Sequence, residues 1–180
     1  MMNEDTLEVI RKRRTVRRFT EEDVSDEQVQ TILEMGMYAP TYMNRQPWHF
    51  VVVRDKALQE RLGETLSVRP YVQEAAVVIA VYGDPNISNT WDLDGCAAIE
   101  NMLIAASALG LGGAWAGSPG NMAWQQGEEL MADALKVPSG LRALSLVCLG
   151  HPAKEPSPHT KEERFNTTRV HYGDWRTLKL

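Results

Sequence analysis

A sandwich of the α/β or α+β class, with helices covering both faces of a sheet, is what this sequence predicts. Two observations carry that prediction. Apolar runs at positions 50–53, which is β-branched, 75–82 and 142–149 lack the polar alternation of a strand with one face in water, so they belong to a sheet buried on both sides. Between them lie stretches with helical spacing of apolar side chains and recognisable start and stop residues. At 180 residues, with no Pro-, Gly- or Ser-rich linker and no internal repeat, the chain fits one domain over residues 1–180 and can bury about 70% of its unfolded surface.

The elements follow in order. Asp5 with Glu8 three residues later predicts a short helix through Ile10. Ser25 and Gln28 repeat that signal before Val29, Ile32, Leu33 and Gly36, which share one helical face until Pro40. Residues 50–53 read as a strand, 57–66 as a polar-faced helix and 75–82 as a wholly apolar strand. Residues 93–109 form the longest helical candidate, apolar on most sides, so it is either central to the fold or covered by a second copy of the chain. Residues 114–116 read as a short strand, 124–135 as an amphipathic helix ending before Pro138, and 142–149 as the last strand. From Gly150 the chain is polar and carries Pro152, Pro156 and Pro158; a segment with no core of its own drapes over something else.

The charge pattern is uneven. Arg11, Lys12, Arg13, Arg14, Arg17 and Arg18 put six cations into eight residues of a chain whose net charge is −5, so the remainder carries −11. Cations at a helix end suit the macrodipole, which accounts for two or three of them. A polyanion would be repelled by the acidic remainder, and no aromatic residues interleave with the cations to stack bases, which ranks nucleic acid lowest. One small phosphorylated ligand, gripped by a few guanidinium groups and a hydroxyl such as Thr15, fits better. Cys96 and Cys148 sit far apart in apolar surroundings, as buried thiols of a reducing compartment do, and His49, His151, His159 and His171 show no metal-ligand spacing, so no metal site is expected. The acidic start lacks the layout of a signal peptide, and the uncharged stretch between Glu100 and Glu128 is too broken by glycines to span a bilayer, so a cytoplasmic location is expected.

Two further segments carry chemistry. Gly110, Gly112 and Gly113 follow a helix and precede a strand, the reverse of the order a dinucleotide-binding fold requires. Gly110 reads as a helix C-cap, and the glycines that continue into the strand read as room for a flat ring to approach the backbone. Residues 39–48, Ala-Pro-Thr-Tyr-Met-Asn-Arg-Gln-Pro-Trp, form a loop whose Asn44 and Gln46 amides can both donate and accept, the chemistry that reads the edge of a heteroaromatic ring.

Taken together, Arg13-Arg14-Thr15-Val16-Arg17-Arg18-Phe19, the Ala39-Pro40-Thr41 and Asn44-Arg45-Gln46-Pro47-Trp48-His49-Phe50 pieces, the segment from Asp94 to Leu111, and Arg164-Phe165 with Arg169-Val170-His171 resemble the FMN-dependent nitroreductase family, in order and over nearly the whole chain. The resemblance implies an α+β three-layer sandwich with a mixed, mostly antiparallel sheet, working as an intertwined homodimer with FMN at the subunit interface. It implies that residues 150–180 drape over the partner. Arg13, Arg14, Thr15 and Arg17 match the positions that hold the FMN phosphate, and Arg164 a second phosphate-binding arginine. Glu162 stands where many relatives carry another cation, with Lys161 beside it. Pro40, Thr41, Tyr42, Asn44 and Gln46 match the loop that reaches the flavin from the other subunit, and Trp115, Ala116 and Gly117 the strand beside the ring. The implied activity is reduction of nitroaromatics or quinones with NADH or NADPH, the two substrates alternating in a ping-pong reaction. A flavin storage or sensor protein, a dehalogenase and a flavin-fragmenting enzyme are the alternatives on the same fold; residues 83–91, short and without a charged lid, speak against the dehalogenase. No pair of side chains forms an evident proton-transfer couple, so no residue is assigned as catalytic. Acceptor choice is expected to depend on residues 67–73 and 86–93.

Overall fold

The computed structural model describes residues 4–65, 70–117, 119 and 122–175. Seven helices and four strands are present among them: α1 (Glu4–Lys12), α2 (Asp26–Met37), β1 (Trp48–Val53), α3 (Lys56–Thr65), α4 (Pro70–Glu74), β2 (Val77–Gly83), α5 (Trp91–Ala108), β3 (Gly112–Ala116), α6 (Met122–Leu135), β4 (Arg142–Gly150) and α7 (Lys161–Arg164). The Asp5 side chain, Leu66 and Gly120, all used in reading the sequence, lie outside what is described, as do residues 67–69 of the segment expected to shape acceptor choice. The rest of that segment contributes to α4, which the sequence reading left unassigned.

The sheet order is β1-β2-β4-β3 and every strand pair is antiparallel. Among the described residues, parallel pairing is confined to a single bridge between Thr15 and Gly113 at the outer side of β3. The two central strands, β2 and β4, are buried over almost their whole length, as their unbroken apolar runs require. Alternate side chains of β2 go to opposite faces. Val78, Ala80 and Tyr82 pack with Leu62, Tyr71, Val72, Trp124 and Met131 of α3, α4 and α6. Val77, Ile79 and Val81 pack with Val29 and Ile32 of α2 and with Ile99, Met102 and Leu103 of α5. These are the three layers. Leu144 is the extra residue of a bulge in β4, where Ser145 opposes Val81 and Ala143 opposes Tyr82.

Local rules explain the helix ends that position the site. Ser25 Oγ accepts from the Gln28 N–H at 3.1 Å while Gln28 Oε1 accepts from the Ser25 N–H at 3.0 Å, closing the capping box at the start of α2. At the far end of α5 the chain leaves through Gly110 at φ 75°, with nothing within 4 Å of the place a Cβ would occupy, which is the left-handed cap the sequence indicates. No helix among the described residues is long and apolar enough to cross a membrane.

Candidate functional site

The arginine segment does not form a loose basic turn; it is stitched to the sheet. The Val16 N–H donates to the Gly113 carbonyl at 2.9 Å, the Ala153 N–H to the Arg18 carbonyl at 3.0 Å, and the Thr20 N–H to the His151 carbonyl at 2.9 Å. Val16 and Phe19 point inward and join the core on the α6 side. Alternation then leaves Thr15 and Arg17 exposed on the outside of the β3 edge.

The six cations separate by partner. Arg11 and Lys12 reach back to Glu8 on their own helix, at 3.7 Å and 3.5 Å, and behave as the helix-end cations described above. Arg18 pairs with Glu74 at 2.7 Å. Arg13, 26% exposed, lies 3.3 Å from Glu100 of α5, Arg14 donates to the Ser157 carbonyl, and Arg17 stacks over the Tyr71 ring at 5.9 Å. Arg13 and Arg14 line a cavity of about 350 Å³ together with Lys12, Leu103, Ser107 and Gly113. A second cavity of about 700 Å³ shares Arg13 and adds Arg11, His159, Lys161, Arg164 and Phe165. Arg164 therefore stands beside the segment it was expected to join, and Lys161, not Glu162, turns to the same cavity. His159 links this group, its Nδ1 lying 3.3 Å from Glu163 and its Nε2 in contact with Arg164.

The glycines of β3 have a different origin from the one read in the sequence. A Cβ on Gly112 would lie 2.6 Å from Val16 Cβ, and one on Gly113 would lie 2.6 Å from Leu103 Cδ2, so the space is taken by this chain's own side chains and not by an approaching ring. Ala116 is 1% exposed and faces the α6-side core, leaving only its backbone for any ligand; its carbonyl accepts from Ser145 Oγ at 2.8 Å. Trp115 is half-buried against the α5-side core. Gly117, at φ 88°, has the Trp124 ring packed over its α-carbon.

The loop lies elsewhere. Residues 42–44 form a 3-10 turn, and Met43, Asn44 and Gln46 all adopt positive φ, at 52°, 54° and 48°. Thr41 ties the loop internally, its Oγ1 accepting from the Gln46 N–H at 3.2 Å, and Gln46 Nε2 donates to Asn44 Oδ1 at 3.0 Å, setting the two amides side by side on an exposed surface. Pro40 and Tyr42 are exposed beside them, and Arg45 anchors to the Ile87 carbonyl at 2.8 Å. This loop leads into β1, whereas the arginine segment borders β3. The two lie at opposite edges of the sheet, three strand spacings or roughly 14 Å apart across it. Within one chain the arginine segment shares the β3 edge with Trp115, Ala116 and Gly117, but the loop residues Pro40, Thr41, Tyr42, Asn44 and Gln46 are not brought to it.

One residue of this region, named above only as the start of the Asp94–Leu111 segment, was given no role there. Asp94, only 5% exposed, accepts from the Tyr42 N–H at 2.9 Å through Oδ1 and from Ser88 Oγ at 2.8 Å through Oδ2. An acid in the first turn of an otherwise apolar helix, preceded by Ser88 and Thr90, was the available signal. Elsewhere, burial pushes the Cys148 thiol upward, and burial with the nearby Asp92 charge does the same for Cys96.

The profile of the nitroreductase family matches residues 10–84 and 67–151. A protein of Archaeoglobus fulgidus, provisionally named NADH dehydrogenase/NAD(P)H nitroreductase, is 34% identical over 178 residues, covering 96% of this chain and 99% of its own. The crystal structure of a similarly named protein of Parabacteroides distasonis superposes with a TM-score of 0.87 at 30% identity, over 94% of this chain and 98% of its own. That of a provisionally named nitroreductase of Desulfovibrio desulfuricans in complex with FMN gives 0.73 at 36% identity, over 86% and 90%. With a profile spanning most of its length and full-length relatives at this level of identity, the chain belongs to the nitroreductase family.

Proposed function

We propose that this chain is an FMN-containing NAD(P)H oxidoreductase that reduces nitroaromatics, quinones or related acceptors, and that it works as a homodimer. The observation that carries the reading is the separation of cationic and amide-bearing residues onto opposite sheet edges, in a family whose relatives are named for NAD(P)H chemistry and include one in complex with FMN. Two copies would bring the β3 edge of one against the loop of the other.

The donor set fits the cofactor. Guanidinium groups of Arg13, Arg14 and Arg17 with the Thr15 hydroxyl suit a phosphomonoester, which accepts from several charged donors at once. Arg164 and Lys161 border the adjoining cavity and would share that charge. Thr41, Tyr42, Asn44 and Gln46 would hold the ring edge, with Pro40 as an apolar contact and the β3 residues Trp115, Ala116 and Gly117 as backbone neighbours. Bound FMN supplies the hydride chemistry, accepting from NADH or NADPH and giving to the acceptor. The chain's own part is to grip, orient and exclude water; residues 151–164 lie against its own arginine segment, and the described stretch from there to residue 175 would complete the enclosure by lying over the partner.

The test is reconstitution with FMN followed by anaerobic addition of NADH or NADPH. The yellow colour should bleach within seconds and return on adding a nitroaromatic or a quinone. Flavin retained without bleaching would point to storage; a protein that stays colourless overturns the proposal. Neutralising Arg13 and Arg17 together should raise the FMN dissociation constant by about a hundredfold, two lost charge-assisted contacts, whereas Arg18→Ala, whose guanidinium pairs with Glu74, should leave it near wild type.

A further inference from the structure

Asp94 joins three segments that are distant in sequence. Its Oδ1 accepts from the backbone N–H of Tyr42 at 2.9 Å, and its Oδ2 accepts from Ser88 Oγ at 2.8 Å and Thr90 Oγ1 at 3.3 Å. Ser88 Oγ and Thr90 Oγ1 are themselves 3.0 Å apart, and the Thr90 N–H donates to Ser88 Oγ, so the carboxylate caps a small closed network. Ser88 is 1% exposed and Asp94 5% exposed, whereas Tyr42, Asn44 and Gln46 are exposed. The buried end of the network is fixed; the loop end faces outward.

That loop needs holding. Three non-glycine residues at positive φ within four positions form a backbone that an isolated peptide abandons, and it persists only where surroundings over-determine it. Inside the loop, Thr41 supplies two constraints, through its carbonyl to the Asn44 N–H at 3.1 Å and through Oγ1 to the Gln46 N–H. From outside, Arg45 reaches the Ile87 carbonyl from an exposed position, the carbonyl of buried Pro47 at the loop's end accepts from the Asp84 N–H at 2.9 Å, and Asp94 is the buried attachment at its start. Two carboxylate oxygens are what the position requires: one for the loop amide and one for the hydroxyls of residues 88 and 90.

We infer that Asp94 is the positioning residue of the flavin-facing loop: through the Tyr42 amide it fixes the strained backbone of residues 41–46, and so sets how the Asn44 and Gln46 amides meet the cofactor. The inference rests on the functional reading above. Asp94 touches no ligand itself; it acts through the peptide it holds. Losing it should loosen the loop, weaken FMN binding and alter the electronic environment of the ring, while the phosphate-binding edge of β3, at the other side of the sheet, keeps its contacts.

The experiment compares wild type, Asp94→Ala, Asp94→Asn and Ser88→Ala as FMN-loaded proteins, reading the FMN dissociation constant, the visible absorption and circular dichroism of the flavin and its midpoint potential, with thermal unfolding of each apoprotein alongside. Asp94→Ala should raise the dissociation constant about tenfold or more, one lost charge-assisted contact propagated through the loop, and shift spectrum and potential. Asp94→Asn keeps an acceptor for Tyr42 and should recover most of both; Ser88→Ala should fall between. If Asp94→Ala does not fold, Ser88→Ala and Asp94→Asn decide the matter by the same readouts. A stability loss with unchanged affinity, spectrum and potential overturns the inference and leaves the functional reading intact. A wild-type protein that takes up no FMN overturns both.

Discussion

Gly117 shows how a single residue can be fixed from two directions. Its φ of 88° is a conformation that side chains resist, and the indole of Trp124, held by its Nε1–H donating to the Ala143 carbonyl at 3.0 Å, covers the α-carbon. Gly117→Ala combines backbone strain with overpacking and should cost about 2–4 kcal/mol, read as a lower urea midpoint at constant slope. Tyr82 is a second case. Its hydroxyl, buried in the α6-side core, has no hydrogen-bond partner among the described residues, and burial, with the Glu128 charge second, pushes its phenol up to about 12. An unfolded chain ionises this group near 10.0, so between there and about 12 the unfolded state binds fewer protons than the native one. The contribution is whole below pH 10, and stability falls by about 2 kcal/mol as pH rises through that window. Tyr82→Phe should flatten the decline in urea titrations run from pH 8 to 11, with stability at pH 7 unchanged or higher because an orphaned donor is removed.

At the scale of elements, α2 shows what sequence can state. Its capping box closes as Ser25 and Gln28 indicate, and Ser25→Ala should cost about 1 kcal/mol, lowering the melting temperature by roughly 2–4 °C. The wholly apolar β2 and the Gly110 cap were equally legible, because period, caps and left-handed glycine are local properties. β1 begins at Trp48, ahead of its β-branched run, since pairing with Gly83 of β2 extends it. α4 was invisible: five residues hold too little periodicity, and it is defined by burying Tyr71 and Val72 against α3. The glycines of β3 were read with the right residues and the wrong cause, since Val16 and Leu103, which occupy the space, reach them from other elements. Asp94 was hidden for a similar reason: an acid near a helix start looks like a dipole effect until a distant amide is seen on it.

For the whole molecule, the strand order matters most. Motifs named candidate site residues, but only the order β1-β2-β4-β3 reveals that the arginine segment and the loop of residues 40–46 lie at opposite edges of one chain. α5 spans the distance: its first turn carries Asp94 beside the loop, and Leu103 and Ser107 near its end line the arginine cavity. If each flavin needs residues from two chains, cofactor affinity must depend on protein concentration. Serial dilution of the FMN-loaded protein, followed by flavin fluorescence and sedimentation velocity, should show release of flavin in step with dissociation to single chains. Flavin retained by a single chain would show that one copy suffices.

The seating of residues 15–20, on Gly113 of β3 at one end and on residues 151–153 beyond β4 at the other, has a consequence beyond ligand binding. An open strand edge is a template for other chains, and it invites aggregation. Here the start of that border, at Gly113, is occupied by the chain's own N-terminal segment, its Val16 and Phe19 anchored in the core and its Arg17 and Arg18 exposed. Charge turned toward solvent deters a stray strand, and the Gly113 carbonyl behind it is already engaged by the Val16 N–H. The same few guanidinium groups proposed to hold a small anion thus also help keep copies of the protein from polymerising through their sheets.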